Sequence, residues 1–416
     1  MKLLFNLRAY NDVDHITPVI YKFLINNYQC DVIFLSNFNY NNDYRIIYLK
    51  KFKNFRIVNE LSLIKKIVLK YLKIRNRFFN NNIERRLRKI QFCNYFFNFL
   101  QKNFWINKWI KSNGYKAVFF EWGRPGRINQ KEAFWFNIPV IILPHGYNVL
   151  NNDYKNYYTN YQMEKFKDDP NNKIKFLERN YFANIYIVSN EHHKNLMINW
   201  GMKPDLIHYY GSPRFSNEWY KIHNQIISKF RTNKFSDQKI KIVFFMQNID
   251  YRVNEIKVEK LLNLLINLKN IFVIIKPHTR NNILFKNQYK YSEKENVEIV
   301  SEVNSCSLIE WSDIVINYGS SIGIDAILRD KVLINAKYLH KNSTIFDDSD
   351  VCKTFSNPDD IVKFILNKNF KYLNSKEYEE NKSIFLNKYI NAYGEDSLMY
   401  NYKILKKIIH NNEKPN

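Results

Sequence analysis

Ser312-Asp313-Ile314-Val315-Ile316-Asn317-Tyr318-Gly319-Ser320-Ser321-Ile322-Gly323-Ile324-Asp325 is the stretch on which the fold turns. Asp313–Asn317, apolar at its centre, reads as a buried strand, and Ser321–Arg329 as a helix. A strand that delivers Gly319, Ser320 and Ser321 to a helix start suits an anion. Backbone N–H groups and the helix N-terminus favour negative charge, and the hydroxyls add donors. A serine N-cap accounts for one hydroxyl but not for the pair with two glycines. Asp325, one turn into the helix, is placed to reach a ribose hydroxyl.

Working outward, the same alternation recurs on both sides. Downstream, Val332–Asn335 reads as a strand, Asn357 caps a helix to about Leu366, and 376–410 is helical. Upstream come strands at Lys241–Met246, Ile271–Lys276 and Val297–Val300, with helices over 255–268 and Ser305–Trp311. Farther upstream a second alternating set runs through Leu3–Leu7, Asp31–Ser36, Ala117–Glu121, Pro139–Leu143, Ala183–Ser189 and 207–210. Here Arg8–His15 reads as a polar loop, and Pro18 opens a helix ending at Ile25. Further helices fall at 130–137 and 190–200. Such alternation predicts parallel α/β sheets. The division is an N-terminal Rossmann-like, acceptor-binding domain over 1–216, a polar linker over 217–239, a donor-binding domain over 240–375, and C-terminal helices over 376–416. A basic helical insertion covers 61–113.

In open parallel sheets ligands sit beyond the carboxyl ends of strands, so those loops hold the candidate site. After the first strand come Arg8, Asn11, Asp12, Asp14 and His15, with no GxGxxG fingerprint. The carboxylates either cap the next helix or serve the acceptor, Asp14 first among them as general base. Glu121 and Arg124 leave the next strand together, Arg124 between two scarce glycines, Gly123 and Gly126. His145 and Tyr147 follow Pro139–Leu143, and a histidine at a strand end suits proton transfer. Ser212 and Arg214 form a turn that could hold a phosphate. Lys276, His278 and Arg280 make a donor cluster without a neighbouring acid, suited to a phosphate leaving group.

Composition sets limits. The 416 residues carry a net charge of +25, which points to an anionic partner. Hydrophobic residues make up 45%, which excludes a disordered chain. With only nine glycines, collagen-like and linker-rich readings fall, and six of the nine lie in the candidate loops. Four separated cysteines argue against zinc and against a disulfide scaffold and favour reduced thiols. Asp347-Asp348-Ser349-Asp350 reads as a solvated turn, and no metal site is expected. No apolar run reaches the roughly 20 residues needed to cross a bilayer. Residues 61–90 hold ten Lys and Arg against Glu84 alone, with apolar residues at helical spacing. That pattern fits an anionic membrane surface, hence a cytoplasmic protein peripheral to the inner face of the cytoplasmic membrane.

Lys276-Pro277-His278 together with Ser312–Ser321, Asp325 and Lys331-Val332-Leu333-Ile334 resembles the nucleotide-binding half of GT-B fold transferases. The pattern is similar to bacterial surface-carbohydrate enzymes: capsule polysaccharide transferases, CDP-glycerol glycerophosphotransferases and polysialyltransferases. Pro144-His145-Gly146 resembles the His-Gly motif of the glycerophosphotransferases. Gly211-Ser212-Pro213-Arg214-Phe215 is similar to a loop of surface-carbohydrate biosynthesis proteins. Asp325 stands where such families often carry Glu, and Thr279 where they carry Pro.

The resemblance implies two Rossmann-like domains facing a central cleft, with C-terminal helices crossing back. It further implies metal-independent, inverting transfer of a sugar to a glycan or lipid-linked acceptor, with a nucleotide-sugar donor, CMP- or CDP-linked among the options, and no separate cofactor. His278, Ser320 and Ser321 would neutralise the donor phosphate, Asp325 would touch the ribose, and Asp14 or His145 would deprotonate the acceptor. Three readings compete: a CDP-glycerol-type polyol-phosphate transferase, a sugar-nucleotide 2-epimerase and a nucleic-acid-binding protein. No RRM, KH, zinc or helix-turn-helix signature supports the last, so no nucleic-acid partner is expected.

Overall fold

Among the described residues thirteen strands, all paired in parallel, form two sheets. The computed structural model describes residues 1–8, 10–35, 39–58, 109–121, 128–144, 146–151, 183–199, 202–232, 239–247, 253–278, 291, 293–340, 342–367 and 370–411. The N-terminal sheet comprises β1 (Lys2–Leu7), β2 (Gln29–Phe34), β3 (Phe55–Ile57), β4 (Tyr115–Glu121), β5 (Val140–Leu143), β6 (Ile185–Val188) and β7 (Ile207–Tyr209), in the order β3-β2-β1-β4-β5-β6-β7. The C-terminal sheet comprises β8 (Ile240–Phe245), β9 (Ile271–Lys276), β10 (Val297–Ile299), β11 (Ile314–Asn317), β12 (Val332–Asn335) and β13 (Lys353–Thr354), in the order β10-β9-β8-β11-β12-β13.

The strand sequences explain the sheets. IVIN and VLIN lie in register, Ile314 opposite Val332 and Asn317 opposite Asn335, with every residue buried. Continuous β-branched runs without alternation suit strands covered on both faces, as parallel strands are. Each sheet accordingly carries apolar clusters on two faces: Phe5, Phe23 and Phe119 on one face of the first, Leu4, Val118 and Ile142 on the other. The order reverses between β1 and β4, and again between β8 and β11. Those switch points leave crevices at the carboxyl ends.

The C-terminal segment crosses back. The Lys376–Tyr389 helix sends Tyr378 and Phe385 into the second domain's core. The Ser397–Asn411 helix places Leu398, Leu405 and Ile408 in the core of the first. Ser397 Oγ donates to Ser212 O (2.8 Å) and Asn401 Nδ2 to Tyr210 O (2.6 Å).

Several sequence expectations need correction. Arg8–His15 is not a loop: the first helix spans Tyr10–Ile25 with Pro18 inside it. Val13 and Ile16, both buried, supply the apolar spacing that the surrounding polar residues conceal. The 217–239 stretch holds a helix, Asn217–Ile226, because Ser216 caps it and Trp219 is sunk in the N-terminal core. The structure adds three short elements that the sequence pattern does not mark: the Tyr44–Leu49 helix, β3 and β13. Asp347 is no solvated group: its buried carboxylate accepts from Asn335 Nδ2 (2.9 Å) and Thr344 Oγ1 (2.8 Å). The basic stretch 61–90 and Cys93 lie outside the described residues. Cys30, Cys306 and Cys352 are buried free thiols. Among the described residues no helix is long and apolar enough to cross a membrane.

Candidate functional site

A cleft of about 260 Å³ opens where the carboxyl ends of the two sheets meet. Every described wall residue comes from a segment that follows a strand. Asn11 follows β1 and Tyr147–Leu150 follow β5 on the N-terminal side. Gln247 follows β8, His278 follows β9, Tyr318–Ser321 follow β11, and His340 and Asn342 follow β12 on the other. Among the described lining residues none is an acid, a lysine or an arginine.

The Gly319 turn is shaped by its neighbours. Gly319 has φ +74°, and a Cβ there would lie 3.1 Å from His340 Nε2. Asn317, fully buried, holds the turn by donating to Ser320 O (2.9 Å). Ser321 makes no side-chain cap bond, so its hydroxyl is not consumed by the Ile322–Leu328 helix that it precedes. His340 Nδ1 accepts the Asn342 N–H (3.0 Å), which leaves the proton on Nε2 in the neutral ring. That Nε2 is buried and has no partner among the described residues. Burial keeps the imidazole below its ordinary pKa against the opposing pull of Asp347, so it stays uncharged. Gln247 donates its N–H to the Tyr318 hydroxyl (3.0 Å).

The cleft is held shut at one end by backbone. Leu150 and Thr344 form an antiparallel bridge, Asn151 N donates to Ser343 O and Ile345 N to Val149 O, both at 2.9 Å. Tyr147, buried, donates its hydroxyl to Tyr389 O (2.6 Å).

Behind the cleft runs an ionic seam between the domains. Asp14 accepts from Arg45 Nη1 (2.6 Å) on one oxygen and from Arg214 Nε (2.7 Å) on the other. Arg214 also forks onto both oxygens of Asp325 (3.0 and 2.8 Å), and Arg329 adds a third guanidinium contact there (3.0 Å). Burial alone would raise both carboxyls, but the arginines outweigh it and hold each below the usual carboxylate range. His223 lies beside them, its Nδ1 near Arg329 (3.3 Å) and Nε2 against the Tyr44 hydroxyl (2.7 Å). Burial and the Arg214 charge push it down to about 3.

Of the residues singled out from sequence, Asn11, Tyr147, His278, Gly319, Ser320 and Ser321 meet in the cleft. His145, Arg124 and Arg280 lie outside the described residues. Three assignments are corrected by the seam. Asp14 is a poor proton acceptor with both oxygens bound to guanidinium groups. Asp325 is 1% exposed, turns both oxygens to guanidinium groups and is not among the residues that line the cleft, and Arg214 is committed to two carboxylates. Ser212 is buried under the crossing segment, its carbonyl bonded to Ser397. Lys276 is buried too, its ammonium donating to Ser301 O, and burial lowers its pKa to about 8. Arg8, Asp12 and Glu121 gather at the ends of β1 and β4: Arg8 N donates to Asp12 (2.6 Å) and Arg8 Nε lies 3.6 Å from Glu121. His15 is buried edge-on to Phe215.

Sequence reasoning missed Asn148, Gln247, His340 and Asn342. Gln247 was findable, since it directly follows a strand. His340 and Asn342 follow β12 only after the Lys337–Leu339 turn, too far for that rule.

No family model matches the chain, and no curated protein matches it by sequence. Solved structures do match in shape. The UDP-GlcNAc 2-epimerase from Neisseria meningitidis, bound to UDP-GlcNAc, aligns with TM-score 0.55 and 14% identity over 98% of this chain and 100% of that one. The wall teichoic acid polymerase TagF aligns with TM-score 0.51 and 14% identity over 99% and 90%. Anabaena Alr3699/HepE, in complex with UDP and glucose, aligns with TM-score 0.53 and 10% identity over 98% and 99%. At these identities the likeness is one of architecture: this chain has the GT-B type of fold, two parallel α/β domains facing a cleft.

Proposed function

We propose that this protein is a glycosyltransferase that moves a sugar from a nucleotide-activated donor to a glycan or lipid-linked acceptor of the bacterial surface. The observation that carries this reading is the two-sided cleft. His278, Ser320 and Ser321 face it from one domain, and Asn11 and the Tyr147–Leu150 strip from the other. The first wall offers neutral donors for a phosphate, and the second offers a surface for an acceptor. In the transfer, the acceptor oxygen gives up its proton and bonds to the anomeric carbon. The bond to the nucleotide phosphate breaks, and His278 with the serine hydroxyls takes up the charge that develops there. With Asp14 bound in the seam, the base falls to His145, next in the chain to the Gly146–Leu150 strip.

A sugar-nucleotide 2-epimerase is the second reading, favoured by the whole-chain likeness to the Neisseria enzyme. Abstraction of a sugar-ring proton calls for acid and base groups at the ring. The described cleft walls supply histidine but no carboxylate.

A thermal-shift screen with CMP, CDP, UDP and GDP tests the shared premise, because a ligand bound to the folded state raises the melting temperature. Failure of all four to stabilise the protein overturns both readings. Product analysis with the stabilising nucleotide's sugar or polyol-phosphate donors separates them. Transfer only in the presence of acceptor supports the transferase, and an epimerised donor without acceptor supports the second reading.

A further inference from the structure

Between the last two helices the chain makes a two-residue turn. Ala392 and Glu395 exchange backbone hydrogen bonds (3.2 and 3.0 Å), leaving Tyr393 and Gly394 at φ +54° and +78°. Positive φ at both central residues is the type I′ pattern, where Asn-Gly is the favoured pair. A bulky tyrosine in the first place is strained. It is also 61% exposed, so burial does not offset that strain.

The ring of Tyr393 stacks on Tyr209 (4.8 Å between centroids, 27° between planes) and leans on Tyr400 (5.3 Å). Tyr400 rests against the buried Tyr210 (5.5 Å). Tyr209 ends β7, the edge strand, at the same carboxyl edge of the N-terminal sheet that forms the cleft. A second hollow of about 350 Å³ borders the Leu150–Thr344 bridge, lined by Asn151, His192, Asp348, Lys388 and Tyr389. Tyr389 is four residues from Tyr393 along the chain.

We propose that Tyr393, Tyr209 and Tyr400 form a stacking platform for an oligosaccharide, which holds the acceptor chain beside the cleft. This rests on the transferase reading for the meaning of the bound chain. A pyranose has an apolar face and a rim of hydroxyls. A tyrosine ring offers a rigid apolar face with a polar edge, at low cost in side-chain entropy. The hollow at Tyr389, four residues earlier in the chain, offers mixed donors and acceptors for the sugar hydroxyls. The turn itself is served better by asparagine; the contacts with Tyr209 and Tyr400 offset part of that strain, and 61% of the residue is left facing solvent.

The full-length protein is titrated by calorimetry, without nucleotide, with three hexasaccharides: maltohexaose, chitohexaose and a hexamer of an acidic sugar. The wild type is expected to bind at least one. Tyr393→Asn gains at the turn about what it loses in ring packing, so the melting temperature should change little, while that binding weakens roughly tenfold, about the loss of one aromatic contact. Tyr393→Phe should retain it. Equal binding by wild type and Tyr393→Asn, or no binding of any hexasaccharide by the wild type, overturns the platform. Nucleotide binding with Tyr393-independent hexasaccharide binding defeats the platform alone. Tyr393-dependent hexasaccharide binding without nucleotide binding defeats the transferase reading alone.

Discussion

The cleft and the ionic seam are both polar, both lie between the two domains, and they are built in opposite ways. The described cleft walls carry neutral groups with capacity to spare: the unpartnered His340 Nε2, the Ser321 hydroxyl that caps nothing, the amides of Asn342 and Gln247. The seam carries full charges with little capacity left: Asp14 and Asp325 against Arg45, Arg214 and Arg329. A charge in contact with an opposite charge is already answered, whereas a neutral donor without a partner awaits a ligand. Among the described residues the cleft wall is therefore the less charged of the two.

The sharpest way to break the comparison is to swap the expected phenotypes. Arg214→Met leaves Asp14 and Asp325 each one guanidinium short inside the protein. Truncating one partner of a buried pair costs about 3–5 kcal/mol. We expect that loss in chemical denaturation. A variant as stable as the wild type that has lost nucleotide binding would return Arg214 to the donor site. His278→Ala should do the reverse: transfer falls about 10²–10⁴-fold, the range for a lost proton-transfer or charge-stabilising group, with the unfolding midpoint unchanged. Near-normal turnover would remove His278 from the chemistry.

The seam should also show in the pH dependence of stability. His223 titrates near 6.5 in the unfolded chain and at about 3 in the fold. The unfolded state then binds the extra proton, so stability falls as pH drops from about 6.5 toward 3. Asp14 and Asp325 act in the same direction lower down. Their folded pKa values are depressed, so their contribution is complete above the unfolded value near 4 and is lost as pH falls below it. His223→Gln should flatten the curve between pH 6.5 and 4 and leave the steeper fall below 4. An unchanged slope above pH 4 would mean that the ring is not neutral beside Arg329.

Gly319→Ala sharpens the cleft side. An alanine at φ +74° costs about 1 kcal/mol, and its Cβ would press on His340 Nε2. We expect that modest loss of stability with about tenfold weaker nucleotide binding. His340→Ala in the same chain should recover part of the affinity, a coupling that two independent sites would not show.

The contrast also explains what could be read from the sequence. The strands were legible because buried parallel strands are unbroken apolar runs, as in IVIN and VLIN. Ser320 and Ser321 were legible because a hydroxyl pair after a strand has few structural uses. Asp14, Arg214 and Asp325 look like site residues in the sequence because each sits in a segment that follows a strand, and the contacts that join the three are not local. Asp14 lies 200 residues from Arg214, and Arg214 lies 111 from Asp325, and only the fold joins them. His340 was illegible for a different reason. Its part in the cleft depends on Gly319 and Asn342, and no local pattern announces it.

Tyr147 is where the two regions touch, and it predicts the smallest effect. It lines the cleft, yet its hydroxyl is spent on Tyr389 O, the last carbonyl of the helix that begins the return crossing. Late helix carbonyls have no partner within the helix, so this hydroxyl satisfies an orphan acceptor across the domain junction. Tyr147→Phe keeps the ring, which packs edge-on against Phe215 (5.7 Å), and removes only that bond. A net hydrogen bond of this kind contributes about 1 kcal/mol. If Tyr147 belongs to the clamp, stability should drop by about that amount while the acceptor KM changes less than about threefold. If it belongs to the acceptor site, stability should hold and the acceptor KM should rise about tenfold, because a hydroxyl that meets substrate leaves a substrate group unpaired when it is lost. One conservative substitution measured two ways thus decides whether a polar residue on the cleft wall serves the ligand or the closure of the domains.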